Sequence, residues 1–186
     1  MEKSSLNDQF LIAMPALRDP NFEQTVTLIC QHNQDGALGI VINRTINLTV
    51  GEVLAQMDLP SEYFNDADTP VHYGGPVQSE RGFILHRDIG NWQSTLAINE
   101  EIGLTTSRDI LEAMAANEGP KHSLLALGYA GWGSGQLEYE LGENAWLSGP
   151  ADYDVIFSTP VGDRWHAAAK LLGVDLHVLS PETGHA

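Results

Sequence analysis

Apolar residues fall at every second position over residues 25–32, which places Val26, Leu28, Cys30 and His32 on one face of a half-buried strand. Gln34-Asp35-Gly36 supplies a turn, and residues 37–43 continue as a nearly unbroken apolar run. Together they read as a β-hairpin with a buried second strand. Thr49 followed by Glu52 is a capping box, opening a short helix that runs through Met57 and stops at Pro60. Residues 60–70 have the polar, Pro-flanked character of surface loop. A second hairpin is predicted from residues 71–73 and 82–86, with Gly74-Gly75-Pro76 and residues 78–81 turning the chain. Residues 94–98 add a strand. Residues 106–116 form a helix with Ile110, Leu111 and Met114 on one face, ended by Gly119-Pro120.

Residues 122–129 make a strongly apolar strand that runs into the glycine-rich stretch Gly128 to Gly135. A short helix follows over 136–141, terminated by Gly142 and Asn144. Residues 154–158 read as strand. Thr159-Pro160 start a last helix with Val161, Trp165, Ala168 and Leu172 inward and Gly173 as its stop. Strands outnumber helices, and hairpins are mixed with one strand–loop–helix crossover. The fold class this predicts is α+β (mixed α/β): a largely antiparallel sheet with helices packed on it. No linker interrupts the pattern, so one domain is expected over residues 1–186, with flexible ends at 1–8 and 181–186.

Charge narrows the partners. Twenty-five Asp and Glu against nine Lys and Arg give a formal net charge of −16 among 186 residues. That balance excludes collagen-like and coiled-coil chains and disfavours any partner that needs a broad positive surface, nucleic acid first. One cysteine excludes an intrachain disulfide and fits a reducing compartment. The first apolar stretch, residues 10–14, is too short for a signal-peptide core, and no window approaches ~20 apolar residues. The expectation is a cytoplasmic protein without membrane contact.

Few residues propose chemistry. The glycine-rich stretch occupies the place where backbone N–H groups cradle phosphates, but Gln136 stands where the dinucleotide fingerprint needs its third glycine. Six acids and no base lie between Lys121 and Arg164, so close backbone packing is the better reading. Ser134 sits where a nucleophile elbow would place a serine, yet Trp132 replaces the glycine two residues before it. A helix N-cap suits Ser134 better. Cys30 and His32, two apart on the expected strand face, are candidates for a thiolate pair, although a lone cysteine beside Val26 and Leu28 is more often inert core. The histidines show no zinc spacing, and the acids around Glu138, Glu140 and Glu143 read as a solvated face. Neither metal nor cofactor is called for. Arg44, Arg81 and Arg87 lie at or near apolar strand ends, which makes them candidates for holding a carboxylate or another anion.

Four blocks carry a resemblance. They are Phe10-Leu-Ile-Ala-Met-Pro with Asp19-Pro-Asn-Phe, Gly36-Ala-Leu-Gly-Ile-Val-Ile-Asn-Arg44, Gly74-Gly-Pro-Val77 with Arg81-Gly-Phe-Ile-Leu-His86, and Gly128-Tyr-Ala-Gly-Trp132 with Gly135-Gln-Leu-Glu138 and Asn144-Ala-Trp-Leu147. In this order, over nearly the whole chain, they resemble the YqgE/AlgH family of bacterial proteins. The resemblance implies one α/β domain on a bifurcated, partly barrel-like sheet surrounded by helices. It brings no agreed catalytic residues, and some members carry a transcriptional-regulator label. Thr45 departs from the pattern, since many relatives have Pro after Asn-Arg.

Three functions follow in order of preference: a regulatory domain acting through a small ligand or protein partner, an enzyme on a small substrate using Ser134, His86 or Glu138, and direct DNA binding. Binding residues are expected at strand ends beside glycine-rich turns. That nominates Asn43, Arg44, Gly75, Pro76, Arg81, His86, Trp132, Ser134, Gln136 and Glu138. Arg44, Arg81, Trp132 and Gln136 are expected within ~10 Å of one another around a concavity of a few hundred Å³.

Overall fold

The computed structural model describes residues 5–179. It is a mixed α/β fold built on one curled, ten-stranded, largely antiparallel sheet. The strands are β1 (Gln9–Ala13), β2 (Val26–Asn33), β3 (Gly36–Val41), β4 (Thr45–Thr49), β5 (Pro70–Tyr73), β6 (Val77–Arg87), β7 (Thr95–Ala97), β8 (Ile102–Thr105), β9 (Ser123–Gly133) and β10 (Trp146–Pro150). The helices are α1 (Val50–Gln56), α2 (Arg108–Ala115), α3 (Gln136–Gly142), α4 (Tyr153–Phe157), α5 (Arg164–Leu171) and α6 (Leu176–Leu179), with a 3-10 turn at Val161–Asp163.

Strand β9 is the trunk. One edge pairs with β6, from Val77 opposite Tyr129 to His86 opposite Ser123, with an irregularity between Val77 and Gly82. The other edge is shared: β5 runs parallel to it at Ala126 and Leu127, and β3 runs antiparallel to it from Ala130 to Gly133. The sheet forks there, and β4 joins through β5. Side chains alternating along β9 feed separate cores. Leu124 and Ala126 join the cluster under α4, α5 and α6; Leu125 joins the cluster under α1 and α2; Ala130 and Trp132 join Leu137 of α3 and Trp146 of β10.

The first hairpin forms as the sequence predicts, with Asn33 opposite Gly36. A bulge between Ile29 and Gln31 alters its faces. Cys30 stays with Val26 and Leu28, but His32 now lies opposite Ala37, which packs in the α3 cluster. Cys30 and His32 therefore point to opposite sides of the sheet, correcting their expected shared face.

The predicted second hairpin does not form. β5 and β6 flank β9 on opposite edges, and the chain between them crosses β9. Glycines make the crossing possible. A Cβ on Gly75 would lie 2.1 Å from the Tyr129 carbonyl carbon, and one on Gly128 2.3 Å from the Gly75 oxygen. Gly74-Gly75-Pro76 is thus a close backbone passage rather than a hairpin turn.

Residues 154–158, predicted as strand, are instead helix α4 through Phe157 with Ser158 as its C-cap, and the Asp152 side chain caps the start by accepting from Val155 N at 3.1 Å. The predicted cap at Thr49 forms, its hydroxyl accepting from Glu52 N and donating to Glu52 Oε1. The predicted last helix is followed by α6, after Gly173 turns the chain at φ +72°. The expected flexible end at 181–186 lies outside the described residues, as do residues 1–4. Residues 5–8 are held against β2: Leu6 N donates to His32 Nδ1 and Asp8 N to Ile29 O.

Candidate functional site

The nominated residues spread along β9 and its neighbours rather than converging on one point. Asn43 closes the end of the first hairpin, accepting from Val26 N through Oδ1 and donating to Gln24 O through Nδ2. Arg44 donates to the carbonyls of Pro20 and Glu23 at 2.7 and 2.8 Å, clamping the turn before β2. Both border a cavity of about 300 Å³ with Trp165 and His166. Arg81 donates to Gln78, lies over the Phe83 ring, and borders a different depression with Pro76. Trp132 lines a third. Arg44, Arg81 and Trp132 are therefore divided among three cavities.

The catalytic candidates are also separated. His86 is fully buried, with Nε2 2.7 Å from Thr105 Oγ1 and Nδ1 3.3 Å from Asp88 O, and burial pulls its pKa down. It lies opposite Ser123 at one end of β9, whereas Ser134 follows Gly133 at the other. Ten strand residues at ~3.3 Å each separate those ends by about 30 Å. Ser134 donates to Gln34 O at 2.7 Å and does not cap α3. Gly135, at φ +75°, occupies the N-cap position in a conformation that favours glycine. Gln136 supplies the local bond instead, accepting from Gly133 N through Oε1. Glu138 reaches back to β2 and meets His32 Nε2 at 2.5 Å. Because His32 Nδ1 accepts from Leu6 N, the Nε2 proton is the one donated to Glu138.

Sequence reasoning reads Glu140 as a solvated acid, but it anchors this end of the molecule. Its Oε1 accepts from the indoles of Trp132 and Trp146, and its Oε2 from Gln136. The glycine-rich stretch, α3 and β10 are tied together by one carboxylate. The i, i+4 spacing from Gln136 was the available signal.

What the geometry offers for binding is the groove beside the first hairpin, about 450 Å³. Its floor is the half-buried trio Leu38, Val77 and Tyr129, and Gln31 and Asn33 carry amides to its rim. Trp132 and Gly131 of β9 close one side. Of the nominated residues only Trp132 lines it. The bulge creates the groove wall, because it returns Gln31 to the Leu38 face. Among the described residues no cluster of His, Cys, Asp and Glu has the arrangement of a metal site, and no helix is long and apolar enough to cross a membrane.

Fold and groove define a class: a forked-sheet α/β domain with a surface groove beside its central strand. The chain belongs to the AlgH-like family, DUF179, whose model matches residues 10–177. A UPF0301 protein of Thioalkalivibrio sulfidiphilus is 56% identical over 183 residues, 98% of each chain. Another, from Nitrosococcus oceani, is 57% identical over 96% of each. The solution structure of AlgH from Pseudomonas aeruginosa superposes with a TM-score of 0.80 at 47% identity, covering all of both chains. A Corynebacterium diphtheriae protein at 17% identity shares the fold, with a TM-score of 0.75 over 96% of this chain and 93% of its own.

Proposed function

We propose that the protein is a regulatory binding module that acts through a small ligand or a protein partner seated in the groove over β3 and β9, without contacting DNA itself. The groove carries this reading: an apolar floor and an amide rim suit recognition, because apolar area supplies affinity while a few placed polar groups fix orientation. The enzyme alternative loses support from the separation of Ser134 and His86, each engaged with its own partner. The direct DNA reading loses support from the −16 charge.

Gly131 gives a clean test. A Cβ there would sit 3.4 Å from the Tyr129 ring and 3.7 Å from Val77 Cγ2, ordinary contacts that point a side chain into the groove. Gly131→Val therefore fills the groove while the strand is kept. Native mass spectrometry of protein purified gently from its own cells is expected to show a retained small molecule or protein on the original chain and its loss from G131V. The same retained species on both proteins, or none on either, overturns the assignment.

A further inference from the structure

A second cavity, about 220 Å³, lies where β5, the 64–70 segment, α4 and the start of α5 meet. It shares no lining residue with the groove. Arg164 lines it and is only 6% exposed. Among the described residues no carboxylate lies within 4 Å of its guanidinium. Its partners are neutral: Nε donates to Thr159 O at 2.8 Å, and Nη1 to Ile42 O at 2.5 Å and to His72 Nε2 at 3.1 Å. A buried cation held only by dipoles is rare, since buried charges are ordinarily paired.

Arg164 also sets the state of its neighbour. A guanidinium can only donate, so His72 Nε2 must accept and the ring is neutral with its proton on Nδ1. That Nδ1–H is buried and has no hydrogen-bond partner, in a side chain 6% exposed that lines the same cavity. Lys121 adds a second cation to the lining, and Asp66 is the one acid there. In a chain with nine bases and twenty-five acids, this cavity gathers two cations against one acid. Phe64, Phe157 and Met114 supply apolar wall.

We infer that this cavity binds a small monocarboxylate with a short apolar body, its charge between Arg164 and Lys121 and one oxygen accepting from His72 Nδ1–H. A carboxylate fits better than a phosphate. The protein already uses Arg164 Nε and Nη1, which leaves Nη2 for a single contact to either anion, but Asp66 in the lining opposes a dianion more than a monoanion. The volume matches a ligand the size of benzoate or a branched short-chain acid, below the usual ~300–1,000 Å³ of larger ligand sites.

Benzoate is the probe, with benzamide as its neutral isostere and inorganic phosphate as the anion without a body. Titrations followed by NMR are expected to give saturable benzoate shifts at the 123–125 amides and the His72 ring. Benzamide and phosphate should each bind at least about tenfold more weakly, and Lys121→Gln should weaken benzoate about tenfold. Lys121 is exposed, so K121Q tests the charge without disturbing the buried Arg164 that the fold needs. G131V should leave benzoate affinity unchanged, which separates this site from the groove. Equal binding of benzamide, phosphate as tight as benzoate, an unaltered K121Q, or benzoate shifts confined to the groove each overturns the inference.

Discussion

At the scale of single residues, burial decides what the titratable groups do. His72 is held neutral by desolvation and by the Arg164 charge, which lower its pKa from 6.5 to about 4. In the unfolded chain the same ring takes its proton near pH 6.5, so between those values the unfolded state binds more protons than the folded one. Stability therefore rises with pH across this window and falls as pH drops from 6.5 to 4. The loss attributable to His72 is up to about 3 kcal/mol. His72→Gln keeps an acceptor for Arg164 and removes the titration. Chemical denaturation at pH 6.5 and 4.5 should show a smaller loss for H72Q than for the original protein, and equal losses would contradict this account. Cys30 gives a second residue-scale expectation. Burial, and next the Asp8 charge, push its thiol pKa up. With little thiolate at neutral pH, native Cys30 should react with a thiol reagent at least about a hundredfold more slowly than free cysteine. Labelling at the free-cysteine rate would mean that the strand opens readily or that Cys30 is accessible in the folded protein.

Individual elements show which local patterns survive packing. Gly75 and Gly128 meet backbone to backbone at the crossing over β9, whereas Gly135 at φ +75° has nothing within 4 Å of an added Cβ. Gly135→Ala should cost only the left-handed backbone penalty, ~1–2 kcal/mol. Gly75→Ala must displace the Tyr129 backbone and should cost more than about 4 kcal/mol or prevent folding. Similar urea midpoints for the two variants would refute the crossing. The elements legible in the sequence are those specified locally: the β2–β3 hairpin by its alternation and turn, α1 by the Thr49 and Glu52 box, α2 by its apolar face. Residues 71–73 and 82–86 are correctly strands but wrongly partnered, because two strands beside a Gly-Gly-Pro read alike whether they pair or straddle a third. Asp154 to Ser158 reads as strand from its apolar residues, and the Asp152 cap that makes 153–157 helical acts from just outside that window. The same limit governs the site. Trp132 is found from its glycine-rich surroundings. Arg164 is overlooked because it opens a helix, where only its long-range bonds to Ile42 O and His72 Nε2 show that it turns inward.

For the whole molecule, charge and connectivity make separate demands. A net charge of −16 disfavours nonspecific attraction to duplex DNA. The isolated protein should give no saturable, sequence-competed shift of duplex at physiological salt; low-micromolar binding would restore the direct-regulator reading. Connectivity bears on folding. The described fold has three apolar clusters, an arrangement that elsewhere allows sub-domains to melt apart, but β9 contributes to all of them through Leu124 and Ala126, Leu125, and Ala130 with Trp132. It also carries hydrogen bonds to β3, β5 and β6. Losing β9 from any one cluster therefore breaks pairing in the other two, so the clusters should unfold together. The tryptophans report on them separately. Trp165 lies in the α5 cluster, Trp132 and Trp146 in the α3 cluster, and Trp92 against the α1–α2 cluster. Tryptophan fluorescence and far-ultraviolet circular dichroism should give coincident thermal transitions, with calorimetric and van't Hoff enthalpies equal. Leu125→Ala, which opens a cavity only in the α1–α2 cluster, should shift every probe by the same amount, at a cost of ~2–5 kcal/mol. A transition that splits in L125A, leaving the Trp132 and Trp146 signal behind, would show that β9 does not couple the two halves of the forked sheet.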